Sequence, residues 1–374
     1  MATQIFMALG MNQTLGMAST GEGLQVLSPR HLRYHETWIS GGNGMHFLVT
    51  GGAGYIGSHT VRALLQQGHS TTVLDDFSTG HRWATQGQAV IEVDLKDLGA
   101  LRTALAGTTF DGVFHFAAKS LVAESNREPQ LYYQNNVDGT AHLLTVALEN
   151  GWNRCVLSST AAVYGNPITD TLGEAHPKNP ISVYGQTKLA MEHLLERTCA
   201  DHPFSAVCLR YFNAAGAASD ASLGEAHDPE THLIPTALKA AAGTGKPLTI
   251  FGDDYPTADG TCIRDYIHVE DLANAHLHAM NYLADHQGFI ACNLGNGVGF
   301  SVKAVLAACE QAVGATIDYS IGARRKGDPA TLVADATRAK DVLDWQPTHT
   351  TIEAIVASAW VWERTWEIHE DRRG

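Results

Sequence analysis

The chain has 374 residues, 44% of them hydrophobic and 17% charged, which is typical of a globular protein with one large or two ordinary domains. Its formal net charge of -14 argues against nucleic acids and anionic membranes as partners. The six cysteines form no C-x-x-C motif, so we expect free thiols in a reducing cytoplasm and no bound metal. No apolar run approaches the ~20 residues that span a bilayer.

Residues 1–44 lack sustained periodicity and the basic-then-apolar pattern of a secretory signal, so they predict a poorly ordered extension. From Met45 onward, short apolar runs alternate with helix-length segments, a pattern typical of a parallel sheet covered on both faces. The chain is therefore predicted to be a doubly wound α/β protein. Its strands are expected at residues 46–50, 70–76, 89–95, 112–118, 154–160 and 204–212.

The segment "TGGAGYIG" (50–57) lies between the first strand and a predicted helix. Gly51, Gly54 and Gly57 allow a tight turn and a close backbone approach, and the helix N-terminus suits a pyrophosphate. Asp75 ends the next strand, where a carboxylate binds the adenosine ribose and repels a 2′-phosphate, which favours NAD over NADP. A solvated acid is the alternative for Asp75. Together these features predict a Rossmann-type NAD-binding domain over residues 45–215.

Three further features of this half indicate cofactor contacts. Asp94 is suited to the adenine edge, although it would equally cap a turn. "FAAKS" (116–120) ends a strand with small residues, so the backbone there can lie along the cofactor. Asn135 is polar on an otherwise packing helix, and the alternative is a buried amide that the backbone satisfies.

The segment "SVYGQTK" (182–188) places Tyr184 and Lys188 one helical turn apart, on the same helix face. A neighbouring cation favours the phenolate, and a positively charged nicotinamide adds to that effect. The pair is therefore a general-base hypothesis for a sugar alcohol, with an ordinary surface pair as the alternative. Thr160, at a predicted strand end, is expected to bind the reacting oxygen and relay its proton. Its alternative is a hydroxyl bonded to the backbone.

After about residue 215 the pattern becomes rich in loops, as in "GAASDASLGEAHDPETH" and "GDDYPTADGTC". Short helices and strands continue to about residue 366. We predict a smaller α/β domain over residues 216–374, which binds the substrate and closes over the first domain.

Three segments, "TGGAGYIG", "STAAVYG" and "SVYGQTK", resemble the extended short-chain dehydrogenase/reductase family. Three others resemble the UDP-glucose 4-epimerases within it: "RYFNAAGA" (210–217), "ETHLIP" (230–235) and above all "IFGDDYPTADGTCIRDYIHVEDLA" (250–273). The resemblance runs from Met45 to about residue 366. The resemblance implies an NAD-dependent isomerase whose catalytic groups are Thr160, Tyr184 and Lys188.

The resemblance also implies ligand contacts, beyond the glycines. Those to NAD are Tyr184, Lys188, Tyr55, Ile56, Asp75, Asp76, Phe77, Ser78, Thr79, Gly80, Asp94, Leu95, Phe116, Ala117, Ala118, Lys119, Ser120, Asn135 and Phe212. Those to a UDP-sugar are Thr160, Asn213, Leu233, Phe251, Arg264, Arg325, Asp328 and Leu332. The two arginines also suit a diphosphate on chemical grounds, because a guanidinium fork matches phosphate oxygens. A solvated surface arginine is the alternative for each.

The reaction is indicated partly by two alanines. Related 4,6-dehydratases carry an Asp-Glu pair after the threonine, where this chain has Ala161 and Ala162. Without that acid/base pair, elimination is not supported. The resemblance then implies interconversion of UDP-galactose and UDP-glucose through a transient 4-keto sugar, with NAD held tightly throughout.

Several positions depart from the family pattern and leave the substrate open. Ser120 stands where some epimerases have lysine, with Lys119 shifted by one, and His232 stands where many have asparagine. Leu332 occupies a gate that is tyrosine in members that exclude N-acetyl sugars and small in members that accept them. Other UDP-sugars, N-acetylated or pentose, are therefore alternatives. A non-catalytic NAD-sensing protein is a further alternative, but it predicts a broken Tyr–Lys pair.

Two predicted amphipathic helices, 131–150 and 183–200, have faces that usually serve a core. The resemblance implies that they also pair in a homodimer. We expect the protein to be cytoplasmic.

Overall fold

Short runs of β-branched and aromatic residues, each ending at a turn-forming residue, form the strands of this protein, and amphipathic segments form its helices. The computed structural model describes residues 44–325 and 328–366. The predicted extension over residues 1–44 therefore lies outside the described residues, except for its last residue. No helix within the described ranges is both long enough and apolar enough to cross a membrane.

The strands, in chain order, are β1 (His46–Thr50), β2 (Ser70–Leu74), β3 (Ala89–Ile91), β4 (Gly112–His115), β5 (Arg154–Thr160), β6 (Thr171–Leu172), β7 (Ser205–Tyr211), β8 (Asn213–Ala215), β9 (Leu248–Phe251), β10 (Ile263–His268), β11 (Gly288–Leu294), β12 (Gly299–Ser301), β13 (Tyr319–Gly322) and β14 (Thr331–Ala334).

The α-helices are α1 (Tyr55–Gln66), α2 (Leu98–Leu105), α3 (Val122–Arg127), α4 (Pro129–Tyr132), α5 (Gly139–Glu149), α6 (Val183–Asp201), α7 (Leu233–Ala241), α8 (Val269–Asp285), α9 (Val302–Val313), α10 (Thr337–Leu343) and α11 (Ile352–Trp366). Short 3₁₀ turns cover Arg82–Thr85 and Ala161–Val163, and a π-helical turn covers Tyr133–Asp138.

The main sheet has seven parallel strands in the order β3-β2-β1-β4-β5-β7-β11. The order 3-2-1-4-5 is that of a Rossmann-type doubly wound sheet, which confirms the predicted fold class. Every residue of β7 is buried, as expected for a strand covered on both faces. Parallel strands end at the same edge, so the segments that follow β1, β2, β4 and β5 meet there.

Helices cover both faces of this sheet. Leu143 of α5 and Met191 and Leu195 of α6 share one buried cluster with strand residues such as Leu48 and Leu157. On the other face, α1 and α8 pack against each other, and α8 also contacts β5 and β7. Because both faces are dry, the sheet is a rigid support for the loops at its carboxyl edge.

A second region follows β7. A five-stranded sheet has the order β12-β10-β14-β6, with β8 also paired to β10, and β9 and β13 form a two-stranded sheet. Helices α7, α9 and α11 bury their apolar faces in a separate cluster that includes Ile234, Val305 and Ile355. These elements form a smaller α/β region, to which β6 and β8 from before residue 216 also contribute.

The predicted division at residues 215 and 216 does not follow the main sheet. Helix α8 and strand β11 come from the second half of the chain, yet β11 pairs with β7 along its full length. The described residues belong to one compact unit. A contiguous boundary missed this return because β11 pairs with a strand about eighty residues earlier, and local sequence carries no record of such a pairing.

Two predicted strands end three or more residues early. The segments predicted at 89–95 and 112–118 leave the sheet after Ile91 and His115. Beyond β4 the chain turns across the end of β1, where the backbone amides of Phe116 and Ala117 both donate to the carbonyl of Thr50 (2.9 and 3.1 Å). The apolar residues 116–118 after β4 therefore belong to a loop, and this loop lies against the glycine segment.

The buried histidines predict acid sensitivity. Burial lowers the pKa of His115 to about 3 and the pKa values of His59 and His276 to about 4. Below the ordinary histidine pKa of about 6.5, the unfolded chain therefore binds more protons than the folded chain does. Stability is lost as the pH falls below that value. We expect the free energy of unfolding to decrease by about 1.4 kcal/mol per pH unit for each such histidine. Urea unfolding at several pH values measures this dependence of the unfolding free energy on pH.

A matched pair of variants tests the assignment. His115 lies between Thr50 and Thr140, with ring nitrogens 2.7 and 2.9 Å from their hydroxyl oxygens. His115→Gln keeps polar atoms on both sides and should reduce the pH dependence by the equivalent of one proton. His202→Gln, at an exposed position, should leave it unchanged. Equal pH dependence in both variants would contradict this reading.

Candidate active site

The three glycines of the segment after β1 serve three different purposes. Gly51 has a φ of +70°, and a Cβ there would lie 2.6 Å from the amide nitrogen of Ala117. A Cβ on Gly57 would lie 2.2 Å from the carbonyl oxygen of Gly51, so this glycine lets α1 pack on the loop. Gly54 precedes α1 and meets only that same oxygen, at 3.3 Å, so space opens in front of the helix.

The N-terminus of α1 fits an anionic group. No side chain caps this helix among the hydrogen bonds of the described residues, so its first-turn amides are available to a ligand. Helix amides and the dipole together attract phosphate oxygens. The glycine loop therefore fits a dinucleotide pyrophosphate, as the spacing predicts.

Asp75 is buried at the end of β2, with 7% of its surface exposed. Its Oδ2 accepts a hydrogen bond from the Ala53 amide (3.0 Å) and its Oδ1 accepts one from the Phe77 amide (2.9 Å). Burial raises the pKa of this carboxyl. Asp75 is thus not the solvated acid of the alternative reading, and it ties the loop after β2 to the glycine loop.

The residues after Asp75 form a tight loop at the same edge. Asp76 Oδ1 accepts from the amide (2.9 Å) and the hydroxyl (2.7 Å) of Ser78. Phe77 has a φ of +56° and lies under the Arg82 guanidinium, 4.2 Å from the ring centroid. Exposed Thr79 and half-buried Gly80 complete the loop. Ile56, in the first turn of α1, is half-buried beside it.

Asp94 caps its own turn. Its Oδ1 accepts from the Lys96 amide (2.9 Å), and Oδ2 lies 3.2 Å from the Lys96 ammonium. This is the turn-capping alternative, and both groups remain partly exposed, so a contact with adenine stays a prediction. Buried Leu95 follows it, and its carbonyl oxygen lies 2.9 Å from His142 Nδ1.

Asn136, not Asn135, holds the loop after β4. Asn136 is fully buried; its Oδ1 accepts from the Lys119 amide (2.8 Å), and its Nδ2 donates to the Lys119 carbonyl and the Thr187 hydroxyl (both 3.1 Å). Half-buried Asn135 donates only to Asn136 (3.1 Å) among its described hydrogen bonds. The π-helical turn shifts the facing register, so helical periodicity could not choose between the two. Phe116, Ala117 and Ala118 are half-buried along this loop, and Ser120 is exposed.

Helix α6 carries the predicted catalytic pair. It begins after Ser182, whose hydroxyl accepts from the Gly185 amide (3.1 Å). Burial raises the pKa of the Tyr184 phenol, while an interaction with the Thr160 side chain at the end of β5 lowers it. Thr160 also accepts from the Ala162 amide (3.2 Å). The structure therefore brings the predicted tyrosine and threonine together.

Lys188 reaches the same strand one turn further along α6. It is 3% exposed, and its ammonium donates to the Ser158 carbonyl (2.7 Å). Burial lowers its pKa to about 8. Lys188 also lowers the pKa of His115 through its charge. The ammonium is therefore fixed by the backbone, and the effect of burial on Tyr184 opposes the ionised phenol expected from the spacing.

A buried ion pair that the sequence analysis missed lies one turn further. Glu192 accepts from Arg210 through both oxygens (2.9 and 2.6 Å), and each side chain is only 2% exposed. Glu192 also accepts from the Ser159 hydroxyl (2.5 Å), while Arg210 donates to the Tyr164 phenol (3.0 Å). Tyr164 in turn donates to Asn293 on β11 (2.6 Å). The available signal was the i, i+4, i+8 series of Tyr184, Lys188 and Glu192.

The predicted UDP-sugar residues form two groups. On β10 and β14, Arg264 and Leu332 are register partners, and Arg264 forms an ion pair with Asp328. Arg325 lies over the Phe251 ring, 4.3 Å from its centroid. The arginines are thus held by an acid and by an aromatic ring, rather than being fully solvated.

The remaining members connect these groups to the main sheet. Asn213 donates to the carbonyl of Asp265, the residue after Arg264 (2.8 Å). Phe212 and Leu332 pack on one small cluster made of Val163, Tyr164 and Leu172. This cluster begins three residues after Thr160, so the predicted gate lies on the same packing unit as the segment that follows the catalytic threonine. Leu233 begins α7 and packs on the second core.

The comparisons with known proteins agree with this geometry. Residues 47–295 match the model of the NAD dependent epimerase/dehydratase family. The chain belongs to that family. A UDP-glucose 4-epimerase of Halalkalibacterium halodurans is 48% identical over 320 residues, which cover 86% of this chain and 96% of the relative. The predicted resemblance to UDP-glucose 4-epimerases is therefore confirmed.

Solved structures of family members share the whole fold. The UDP-glucose 4-epimerase from Brucella ovis in complex with NAD is 42% identical, with a TM-score of 0.83 over 85% of this chain and 98% of that chain. The UDP-Glc/GlcNAc 4-epimerase from Campylobacter jejuni is also 42% identical, with a TM-score of 0.76 over 86% of this chain and 100% of that chain.

The Glu192–Arg210 pair predicts a large effect of a small change. Glu192→Gln leaves the buried Arg210 without a compensating charge, which should cost about 3–5 kcal/mol of unfolding free energy. Because α6 then loses its anchor, turnover should also decrease. Urea unfolding and initial rates measure the two effects.

The same helix provides the control. Arg197 and Asp201 form an ion pair (2.6 Å) whose side chains are 77% and 42% exposed. Arg197→Gln should change the unfolding free energy by no more than about 0.5 kcal/mol, because exposed pairs contribute little. Similar losses in both variants would refute the role assigned to the buried pair.

Proposed function

We propose that this protein is a UDP-glucose 4-epimerase, which interconverts UDP-galactose and UDP-glucose through a transient 4-keto sugar. One observation carries the proposal: Tyr184, Thr160 and Lys188 converge on the end of β5, in the same sheet whose β1 ends at the glycine loop. A non-catalytic NAD-sensing protein would have no need of this trio. All three groups are present: Thr160 and Lys188 are buried, and Tyr184 is half-buried.

Tyr184 is the general base for the sugar O4 hydroxyl. Its interaction with Thr160 provides a second hydroxyl that binds the same sugar oxygen and passes its proton to the phenolate. Since burial alone raises the pKa of Tyr184, the phenolate needs positive charge nearby. Lys188 supplies one such charge, and it is also positioned to bind the nicotinamide ribose.

NAD fits the residues at the carboxyl edge. The uncapped α1 amides and open Gly54 suit its pyrophosphate, and Asp75 at the end of β2 suits the adenosine ribose. When bound there, NAD would supply the acceptor, and in its reduced form the donor, of the hydride at sugar C4. The positive nicotinamide also favours the Tyr184 phenolate. Because the hydride is returned, NAD is not consumed.

The second region holds the nucleotide part of the substrate. Arg264 and Arg325 are suited to the diphosphate, because a guanidinium binds phosphate oxygens in pairs. The Arg264–Asp328 and Arg325–Phe251 contacts pre-orient both side chains. We infer that UDP stays anchored while the 4-keto sugar turns about its diphosphate linkage, so that the opposite face meets the hydride.

Elimination is disfavoured by the side chains after Thr160. Ala161 and Ala162 lie in the 3₁₀ turn that follows the threonine, and their methyl groups cannot transfer protons. The C5 proton therefore stays in place. Inversion at C4 is the reaction that the remaining groups support.

Replacing the phenol tests the mechanism. Tyr184→Phe should decrease kcat by at least about a hundredfold, because it removes the base but not the ring. Bound NAD, measured after acid release from the purified protein, should remain unchanged. The wild-type protein should convert UDP-galactose to UDP-glucose without added NAD and without net NADH.

Tyr319→Phe is the matched control, since this tyrosine is exposed on β13 far along the chain. It should retain full activity. A Tyr184→Phe protein that keeps its turnover, or a wild-type reaction that yields a stoichiometric redox product, would overturn the proposal.

Other UDP-sugars are a second candidate, supported by the half-buried Leu332 beside Arg264 and by the Campylobacter jejuni relative named for UDP-Glc and GlcNAc. Leu332→Tyr should lower kcat/KM for UDP-N-acetylgalactosamine at least about tenfold while sparing UDP-galactose, because a larger ring fills the gate. Leu332→Ala should act in the opposite direction. A coupled assay with both substrates measures the ratio, and equal ratios in all three proteins would exclude a gate at this position.

We also propose that the protein is a cytoplasmic homodimer. The paired helices would include the segments 131–150 and 183–200. Exposed Val122 and Tyr133, 46% and 43% accessible, lie on or next to the helical segments in this part of the chain and support an apolar contact there.

A further inference from the structure

Four metal-ligating side chains lie together between β8 and α7, outside the groups used above: Glu225, His227, Glu230 and His232. One nitrogen or oxygen atom from each lies within 4.8 Å of the others. Glu225 Oε1 is 3.2 Å from His227 Nδ1 and 2.5 Å from His232 Nδ1. Glu230 Oε2 is 3.5 Å from His227 Nδ1, and the other oxygen, Glu230 Oε1, is 3.4 Å from His232 Nδ1.

The two carboxylates are buried without full compensation. The side chains of Glu225 and Glu230 are 6% and 9% exposed. Within the part of the chain that the structure describes, buried Glu225 Oε1, Glu230 Oε2 and His227 Nδ1 have no hydrogen bond of acceptable geometry. In the ion pairs of the described ranges these carboxylates meet only the two histidines, and the nearby Lys239 pairs with Glu363 instead (3.7 Å). Two buried carboxylates side by side are costly without a compensating charge, so positive charge is expected here, from the histidines or from a bound cation.

The backbone orients Glu230 toward the cluster. Its Oε1 accepts hydrogen bonds from the amides of Thr231 (2.7 Å) and His232 (2.8 Å). This leaves Oε2 free, on the side of His227. An oriented carboxylate with one free oxygen is the arrangement that a metal ligand needs.

We propose that Glu225, His227, Glu230 and His232 bind a divalent transition metal of the zinc class. Tetrahedral ligands at 2.0–2.1 Å from zinc are roughly 3.3 Å from one another. The distances from His227 Nδ1 to Glu225 Oε1 and to Glu230 Oε2 already match this value. The shortest separation, between Glu225 Oε1 and His232 Nδ1, has to open by less than about 1 Å. Two imidazoles select against magnesium and calcium, which prefer oxygen ligands.

The ion would have a structural role, and this proposal depends on no step of the proposed function. The His227 ring meets the Tyr55 ring edge-on, with centroids 6.1 Å apart, and Tyr55 begins α1 at the glycine loop. Trp362 donates to the Glu225 carbonyl (2.9 Å), and α7 begins immediately after His232. A four-ligand metal here would fasten the segment between the two regions to the glycine loop.

This proposal departs from the expectation of no bound metal, which considered only cysteine spacing. The ligands instead follow an E-x-H-x-x-E-x-H pattern in residues 225–232. The competing explanation is a cluster of protonated histidines that neutralise the carboxylates without any ion.

Metal analysis of the full-length protein tests the proposal. The protein is purified without a polyhistidine tag, since nickel resin would load foreign metal, and is analysed by inductively coupled plasma mass spectrometry. We expect about one zinc per chain in the wild type and at least a tenfold lower content in Glu225→Gln/His227→Asn. His202→Asn, an exposed histidine outside the cluster, should keep its metal.

A second measurement uses the wild type alone, so a misfolded variant cannot obscure the answer. Chelated protein that is titrated with cobalt(II) should develop the visible absorption of a tetrahedral site at one equivalent. Zinc added to the chelated protein should raise Tm by roughly 3–5 °C. A histidine–glutamate ion-pair cluster would give no cobalt spectrum, no zinc above the control and an unchanged Tm, and this result would overturn the proposal.

Discussion

The buried ion pair between Glu192 and Arg210 is the interaction on which the geometry of the site depends. It fixes one face of α6 to β5 and β7, and that face also carries Lys188 one turn earlier and Tyr184 two turns earlier. Three successive residues of β5 then meet the helix, through Ser158, Ser159 and Thr160. Such a pair adds little net stability compared with apolar side chains in the same place. It can form, however, in only one alignment of α6 against the strands.

With α6 in place, the parallel sheet determines where chemistry can occur. Segments after β1, β2, β4 and β5 all leave the same edge, so the glycine loop, Asp75 and Thr160 gather there although they are distant in sequence. The second region supplies Arg264 and Arg325, each already engaged by an acid or a ring. The NAD side is thus built on a rigid sheet, whereas the nucleotide end of the substrate is held by side chains from a separate core.

Much of this arrangement was predictable. Strand β5 has the predicted bounds and α6 differs by one residue, because an apolar run and a capped periodic segment are local properties. Prediction failed where contacts are distant. The π-helical turn buried Asn136, which the sequence analysis did not single out, and β11 returned to the main sheet from beyond the predicted boundary. For Asp94 the sequence allowed either an adenine contact or a turn cap, because the choice depends on its neighbours. The structure shows Asp94 capping its own turn.

The sequence by itself determined the fold class, the glycine loop and the tyrosine–lysine spacing, since each depends on residues within one or two turns of each other. Only the tertiary structure decided which groups are buried together. Arg210 lies eighteen residues from Glu192, and burial sets the pKa directions of Tyr184 and Lys188. The free energy of a charge depends on the solvent and partners that folding leaves around it, and no local pattern of residues records those.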